Sequence, residues 1–209
     1  GLIAFGLAAF IGLMLAWLRG WEVLAVGLLG ILGGYTYTAG PMPYKYKGAG
    51  SFAVFFLMGP LMVWPAWFIQ TGQYSWLPVL VSLPVGFLVA AILNGNDVRD
   101  IAHDRAAGII TPATELGSFS GLGLQRFLYL AAFLSLVALT AFGLLPLTAL
   151  LPLLLLPPLK KSLQAIGEAA AGKQAALLQL EAMAAGFHFQ FGILLTAGVA
   201  LHRLVGKGL

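Results

Sequence analysis

The chain alternates long apolar runs with short polar connections. A membrane-spanning helix needs about 20 mostly apolar residues, within a range of about 17 to 25. Seven runs approach that length: Leu2–Leu18, Val23–Thr38, Phe52–Ile69, Leu77–Leu93, Phe127–Leu145, Leu147–Leu159 and Ala175–Leu201. The pattern predicts an all-α, polytopic transmembrane helix bundle of about seven spans, in a single domain over residues 1–209.

The composition agrees with a protein surrounded by membrane lipid. Of the 209 residues, 60% are hydrophobic and only 9% are charged, whereas a soluble domain carries about 25% charged residues. The sequence has no cysteine, which excludes disulfides and thiolate metal sites. The net charge of +4 is too small to indicate nucleic-acid binding.

The distribution of basic residues predicts the orientation of the bundle. If the spans alternate, eight basic residues lie on one side of the membrane: Lys45, Lys47, Arg99, Arg105, Arg126, Lys160, Lys161 and Lys173. The other side receives three: Arg19, Arg203 and Lys207. Because basic loops stay inside, the first side should be the cytoplasmic face of a cell (inner) membrane. Gly1 should then start on that face. The first apolar run has neither an initiator Met nor a charged region before it, so it does not resemble a signal peptide, and we expect a chain that begins partway through a longer protein.

Acidic residues concentrate in the segment Asn94–Gly108, where the fourth run leaves the membrane. Three of the seven carboxylates of the chain lie there: Asp97, Asp100 and Asp104. At spacings of three and four they share one face of a helix, where they would repel one another without a cation. Mg²⁺ is the usual cation for carboxylates beside a phosphate, and Arg99 and Arg105 could bind phosphate directly. The alternative is an ordinary solvated loop.

A second polar segment, Tyr35–Gly50, should face the same side of the membrane. Its Gly-Pro-Met-Pro core indicates a shaped turn, and it carries four Tyr and two Lys. Taken alone, it could be an interfacial loop of Tyr and Lys. Beside the acidic segment, it becomes a candidate lid over an anionic, aromatic substrate.

Together these two segments resemble a known family. The first carries Asn96-Asp97-Val98-Arg99-Asp100 followed by Asp104, Gly108, Thr111 and Leu116-Gly117, similar to the second Asp-rich motif of the UbiA superfamily of intramembrane prenyltransferases. The second carries Tyr37-Thr38-Ala39-Gly40-Pro41-Met42-Pro43 followed by Tyr46 and Gly48. Both are typical of the branch that contains the 1,4-dihydroxy-2-naphthoate polyprenyltransferases of menaquinone biosynthesis, and the last run resembles that branch too.

The resemblance implies a nine-span fold, of which this chain would supply the third to the ninth spans. It also implies a first Asp-rich motif after the second span, and this sequence has none. We therefore expect an N-terminally truncated chain that is inactive alone. Smaller departures are Asp97, where the branch usually has Asn, and the lack of a basic residue just before Thr111.

The implied reaction transfers a polyprenyl chain from a polyprenyl diphosphate to an aromatic acceptor such as dihydroxynaphthoate. Mg²⁺ would be held by Asp100 and Asp104, with Asp97 as a further ligand, and Arg99 would join Asp100 and Asp104 as a catalytic residue. The predicted substrate-binding residues are Asn96, Lys45, Lys47, Tyr35, Tyr37 and Tyr46; the lysines would bind the diphosphate and the tyrosines would shield the allylic cation.

Two other functions remain possible from the residues. A transporter usually carries ionisable residues near the midplane of the bilayer, whereas here the motif charge lies at one surface. A homologue that binds isoprenoids without catalysis would keep much of the same sequence. In the last span, His188 and Gln190 are expected to form interhelical hydrogen bonds, and Glu181 lies nearer its cytoplasmic end.

Overall fold

The computed structural model describes residues 2–41 and 43–205, so Gly1, Met42 and Lys207 lie outside the described residues. The described chain forms ten α-helices: α1 Leu2–Arg19, α2 Trp21–Thr38, α3 Gly50–Met58, α4 Pro60–Thr71, α5 Leu77–Arg99, α6 Ile101–Ala106, α7 Pro112–Leu116, α8 Ser118–Ala141, α9 Leu156–Ala170 and α10 Gln174–Val205. Two 3₁₀ helices, Tyr44–Tyr46 and Leu147–Leu155, complete them. The predicted all-α polytopic bundle is confirmed.

Each of the seven predicted apolar runs is largely helical, although the fifth leaves its helix after Ala141 and ends in a turn at residues 142–145. Within the described residues, five helical rods are long and apolar enough to cross a membrane: Gly50–Thr71, Leu77–Arg99, Ser118–Ala141, Leu147–Ala170 and Gln174–Val205. Helix α1 is apolar but shorter, and α2 carries Glu22 in its first turn and Tyr and Thr in its last. The large apolar side chains of α1 face outward, with Trp17 88% exposed, as expected for a surface that contacts lipid.

The rod Gly50–Thr71 is interrupted at Gly59. Helix α3 ends at Met58, and Pro60 starts α4 in the same rod. A Cβ at Gly59 would lie 2.6 Å from the Phe55 carbonyl oxygen and 3.2 Å from Gly86 Cα, so only glycine allows α3 and α5 to approach this closely. Pro65 and Pro84 lie inside helices, where neighbouring helices make such residues tolerable in a membrane.

Helix α5 is the centre of the bundle and packs against α3, α4, α8 and α10. Its buried residues include Leu88, Ala91 and Val98, each fully excluded from solvent. The aromatic core beside it is formed by Tyr129, Phe133, Phe187 and Phe191. Because α5 is held on several sides, the side chains at its C-terminal end have a rigid base.

Helix α8 begins at Ser118, well before the predicted start at Phe127. The polar pair Gln125 and Arg126 suggested a loop, but Gln125 is fully buried. Its amide donates to the Ala91 carbonyl oxygen at 2.9 Å and accepts a hydrogen bond from Asn94 at 2.6 Å. A polar residue with both hydrogen bonds satisfied can therefore lie in a helix interface that hydropathy alone would exclude.

Candidate functional site

The acidic segment forms the C-terminal end of α5 and the short helix α6. A break at Asp100 separates the two helices, but the Asp100 amide still donates to the Asn96 carbonyl oxygen at 3.0 Å and the Asp104 amide to that of Asp100 at 2.8 Å. The helical spacing is thus nearly kept across the break. As a result, Asp97 lies close enough to Asp100 and Asp104 for their charges to interact.

The residues that follow α6 are locked to the rest of the segment. Gly108 has a φ of +67° and turns the chain into the extended residues before α7. Thr111 caps α7 through a reciprocal pair of hydrogen bonds with Thr114, which is the capping-box arrangement. Arg105 donates to the Thr114 carbonyl oxygen at 3.1 and 2.9 Å, so its guanidinium is used to hold this loop.

Two backbone hydrogen bonds join the Tyr35–Gly50 segment to Ile110, just after the acidic segment. The Gly48 amide donates to the Ile110 carbonyl oxygen at 2.8 Å, and the Ile110 amide donates to that of Tyr46 at 3.1 Å. This pairing brings Lys45 within electrostatic range of Asp97 and Asp104. The two segments that the sequence predicted on one side of the membrane therefore lie next to each other.

The three carboxylates have different surroundings. Asp97 is only 5% exposed. Asp100 accepts hydrogen bonds from Arg99 Nε and Nη2, both at 2.7 Å, and from Asn96 at 3.2 Å; the contact with Arg99 holds the pKa of Asp100 below its ordinary value. Burial, together with the negative charge of Asp100, raises the pKa of Asp104, against the attraction of His103 and Lys45.

Lys45 lies between aromatic rings. Its Nζ is 5.8 Å from the centroid of the Tyr37 ring and 5.7 Å from that of Tyr46, within the range of cation–π attraction. The Tyr37 ring also packs edge-on against Tyr44 at 5.6 Å, and the Tyr44 hydroxyl donates to the Gly33 carbonyl oxygen. Lys45 and the surrounding tyrosine rings therefore lie beside the acidic cluster.

Not every predicted site residue is drawn into this cluster. The Tyr35 ring packs toward Gly40 and is 52% exposed. Lys47 pairs with Ile110 through its backbone, while its side chain is exposed. The role of Tyr35 and Lys47 in substrate binding stays a prediction. The cluster itself gathers the other predicted site residues: Asp97, Asp100, Asp104, Arg99, Asn96, Lys45, Tyr37 and Tyr46.

Sequence reasoning missed the partners that come from distant helices. Arg99 also forms an ion pair with Glu181 of α10. Asn94 is fully buried and donates to the Gly121 carbonyl oxygen at 2.9 Å and to Gln125 at 2.6 Å. Each of these is a polar residue in an apolar stretch, which indicates that it has a buried partner. Sequence spacing alone does not show which residue that partner is.

The donor set fits a cation shared with a ligand rather than a closed metal cage. Among the described residues, no group of three His, Cys, Asp or Glu side chains is placed to hold a metal ion alone. Both oxygens of Asp100 are already hydrogen-bonded to Arg99, while no ion pair to Asp97 or Asp104 is formed within residues 2–41 and 43–205. Mg²⁺ is commonly bound in this manner, through one or two carboxylates plus substrate phosphate oxygens.

Comparison with known proteins identifies the family. The model of the UbiA prenyltransferase family matches residues 1–182. A 1,4-dihydroxy-2-naphthoate octaprenyltransferase of Bacillus subtilis is 34% identical over 116 residues, 56% of this chain and 37% of that protein. The enzyme of the same name from Mycobacterium tuberculosis is 38% identical over 111 residues, 53% of this chain and 38% of that protein.

A human relative, UbiA prenyltransferase domain-containing protein 1, is 35% identical over 102 residues, 48% of this chain and 30% of that protein. The match thus spans only about a third of the length of these curated relatives. No solved structure was found to match the chain. Since the family match covers most of the 209 residues, the chain belongs to the UbiA prenyltransferase family.

Proposed function

We propose that this protein transfers a polyprenyl chain from a polyprenyl diphosphate to an aromatic acceptor, with 1,4-dihydroxy-2-naphthoate as the acceptor in menaquinone biosynthesis. The observation that carries the proposal is the cluster of three carboxylates, Arg99 and Lys45 at one end of an apolar bundle. Such a cluster suits a charged diphosphate at the membrane surface whose isoprenoid tail lies among apolar helices. The names of the bacterial relatives supply the acceptor.

The acidic side of the cluster would hold a metal-bound diphosphate. Asp97 and Asp104, with Asp100, would provide carboxylate oxygens to Mg²⁺. When bound, Mg²⁺ would stabilise the negative charge that develops on the departing diphosphate. Burial of Asp97 and the raised pKa of Asp104 indicate that this pair of anions is poorly stabilised without a cation.

The cationic and aromatic residues would complete the site. Arg99 offers a planar fork of N–H donors that suits phosphate oxygens, and Lys45 adds a point charge near Asp97 and Asp104. As the bond between the allylic carbon and the diphosphate oxygen breaks, the electron pair leaves with the diphosphate. Tyr37 and Tyr46 present aromatic faces close to Lys45 that would shield the resulting carbocation until the electron-rich acceptor ring attacks it. The ring would then regain its aromaticity by losing the group on the attacked carbon, a proton or, at the carboxylated carbon, carbon dioxide.

The test is prenyl transfer in liposomes by the purified protein, produced from its complete coding sequence because this chain is expected to be inactive alone. Labelled polyprenyl diphosphates of several lengths are incubated with Mg²⁺ and a panel of aromatic acids, and the prenylated product is measured. We expect a product with dihydroxynaphthoate, loss of transfer by at least about a hundredfold in Asp100→Ala, and unchanged transfer in the matched control Glu115→Ala, whose exposed side chain lies on α7.

The outcomes separate the alternatives. Product with another aromatic acid alone would assign a different acceptor within the same family. Binding of a prenyl diphosphate without turnover would instead indicate a non-catalytic isoprenoid-binding protein. Near-normal transfer by Asp100→Ala would overturn the assignment of the site, and solute flux in liposomes that lack a prenyl donor would favour a transporter.

A further inference from the structure

Arg99 is shared between two carboxylates that come from different parts of the chain. Its Nε and Nη2 atoms donate to the two oxygens of Asp100, both at 2.7 Å. Its Nη1 atom donates to Glu181 Oε2, on α10 and 82 residues away in sequence. One guanidinium thus uses two of its nitrogens for the acidic cluster and its third for a partner outside that cluster.

Glu181 is held in place by close packing of the two helices. A Cβ on Gly95 would lie 3.0 Å from the Glu181 backbone nitrogen and 3.1 Å from its Cα, so α5 and α10 meet backbone to backbone at this level. The neighbours Leu180 and Ala184 are buried in the core. The Glu181 carboxylate therefore projects from a rigid position beside the end of α5.

The fork of Arg99 on Asp100 creates a difficulty for ligand binding. Each oxygen of Asp100 already accepts an Arg99 N–H group, so a metal ion that draws on either oxygen weakens or replaces a hydrogen bond to Arg99. An arginine released from its only partner would regain the freedom of a long, flexible side chain. Because Glu181 holds the remaining nitrogen, Arg99 can turn from Asp100 toward a phosphate oxygen without leaving the site.

We propose that Glu181 is a positioning residue, which keeps the Arg99 guanidinium aimed at the diphosphate while Asp100 exchanges its hydrogen bonds with Arg99 for the metal-bound ligand. This inference rests on the proposed prenyl transfer. Glu181 itself does not touch the diphosphate. It acts through Arg99, and its effect should vanish when Arg99 is replaced.

If the ion pair served only to stabilise the fold, its loss would lower the unfolding temperature and leave ligand binding unchanged. The side chains of Arg99 and Glu181 are 28% and 36% exposed, and partly exposed pairs contribute little to folding. Glu181→Gln keeps the shape of the side chain and an acceptor oxygen while it removes the charge. It should therefore leave the thermal unfolding temperature nearly unchanged and still alter the use of the prenyl diphosphate.

The first measurement compares kcat and KM for the wild-type protein, Glu181→Gln and the control Glu168→Gln. Glu168, in the last turn of α9, forms an exposed ion pair at 3.5 Å with Lys173, which lies between α9 and α10. For Glu181→Gln we expect kcat/KM for the prenyl diphosphate to fall on the order of tenfold, as for residues that orient a ligand-binding side chain. The KM for the aromatic acceptor and all values for Glu168→Gln should stay within about twofold.

The second measurement is a double-mutant cycle with Arg99→Gln. The readout is binding of a non-reactive prenyl thiolodiphosphate with Mg²⁺, which needs no turnover. Glu181→Gln should weaken binding in the wild-type background and change it by less than about twofold in the Arg99→Gln background.

Equal losses in both backgrounds, or no loss in either, would overturn the inference. A wild-type protein that binds the thiolodiphosphate but transfers no prenyl group would refute the proposed reaction, while the cycle would still decide the role of Glu181. The two failures are therefore distinguishable.

Discussion

Asp100 and Asp104 lie one helical turn apart and have opposite electrostatic surroundings. Hydrogen bonds from Arg99 hold the pKa of Asp100 low, so this carboxylate is a compensated anion before any ligand binds. Burial and the charge of Asp100 raise the pKa of Asp104. In the ligand-free protein the negative charge of Asp104 is thus less well stabilised than that of Asp100, so a bound cation should stabilise Asp104 more.

This difference predicts that Asp104→Asn stabilises the ligand-free protein. A folded-state pKa above the unfolded-state pKa means that the folded protein binds the proton more tightly, so stability falls as pH rises through that interval. Removal of the charge should raise the unfolding temperature at about pH 8, and the gain should shrink as the pH falls and disappear below the unfolded-state pKa, at about pH 3. Thermal unfolding in detergent measures both.

The same variant should lose its response to ligand. Mg²⁺ with pyrophosphate should raise the unfolding temperature of the wild-type protein by mass action and should have much less effect on Asp104→Asn. Glu115→Gln, at an exposed site on α7, is the control and should behave as the wild type in both experiments. A less stable Asp104→Asn at about pH 8 would contradict the electrostatic description of this carboxylate.

At the scale of elements, the site depends on the pairing of two loops. Lys45 reaches the carboxylates because the Gly48 and Ile110 amides tie the Tyr35–Gly50 segment to the chain after α6. Gly48 has a φ of +83°, in the region that residues with a Cβ rarely adopt. The conformation of one glycine therefore supports the cationic side of the site.

Gly48→Ala should damage the site more than it damages the fold. A left-handed conformation costs a residue with a Cβ about 1–2 kcal/mol, while the added Cβ would make only an ordinary contact with Ile110 Cγ2 at 3.5 Å. We expect a lower unfolding temperature together with a several-fold higher KM for the prenyl diphosphate, because Lys45 shifts away from the carboxylates.

Gly143→Ala is the matched control, since Gly143 has a φ of +71° with no atom near its added Cβ and lies in the turn after α8. It should carry the same conformational penalty and leave the KM unchanged. Equal KM values for the two variants would mean that the loop pairing has no part in substrate binding.

Sequence predicts those features that depend on residues close together in the chain, and it fails where the interacting residues are far apart in the chain. Hydropathy located every long helix because lipid requires continuous apolar runs. Spacings of three and four brought Asp97, Asp100 and Asp104 together because a helical turn places such residues side by side. The start of α8 and the Arg99–Glu181 pair could not be predicted, since Gln125 and Glu181 are satisfied by partners 31 to 82 residues away.

At the scale of the whole molecule, the chemically active groups lie at one end of the bundle. The carboxylates lie where α5 ends, and Lys45 comes to them from the connection between α2 and α3. The rods below them are apolar along most of their length. This arrangement suits a substrate with a charged head and a long apolar tail. The side of the membrane that the charged end faces then decides from which side such a substrate can bind.

The orientation can be tested because the chain contains no cysteine, so a single introduced thiol reports one position. Lys173→Cys lies on the predicted cytoplasmic side, and Gln73→Cys lies in the exposed connection between α4 and α5 on the other side. In intact spheroplasts, an impermeant maleimide should label Gln73→Cys at once and Lys173→Cys only after permeabilisation, because basic loops stay on the cytoplasmic side. The reverse pattern would place the carboxylate cluster outside, away from any polyprenyl diphosphate made in the cytoplasm.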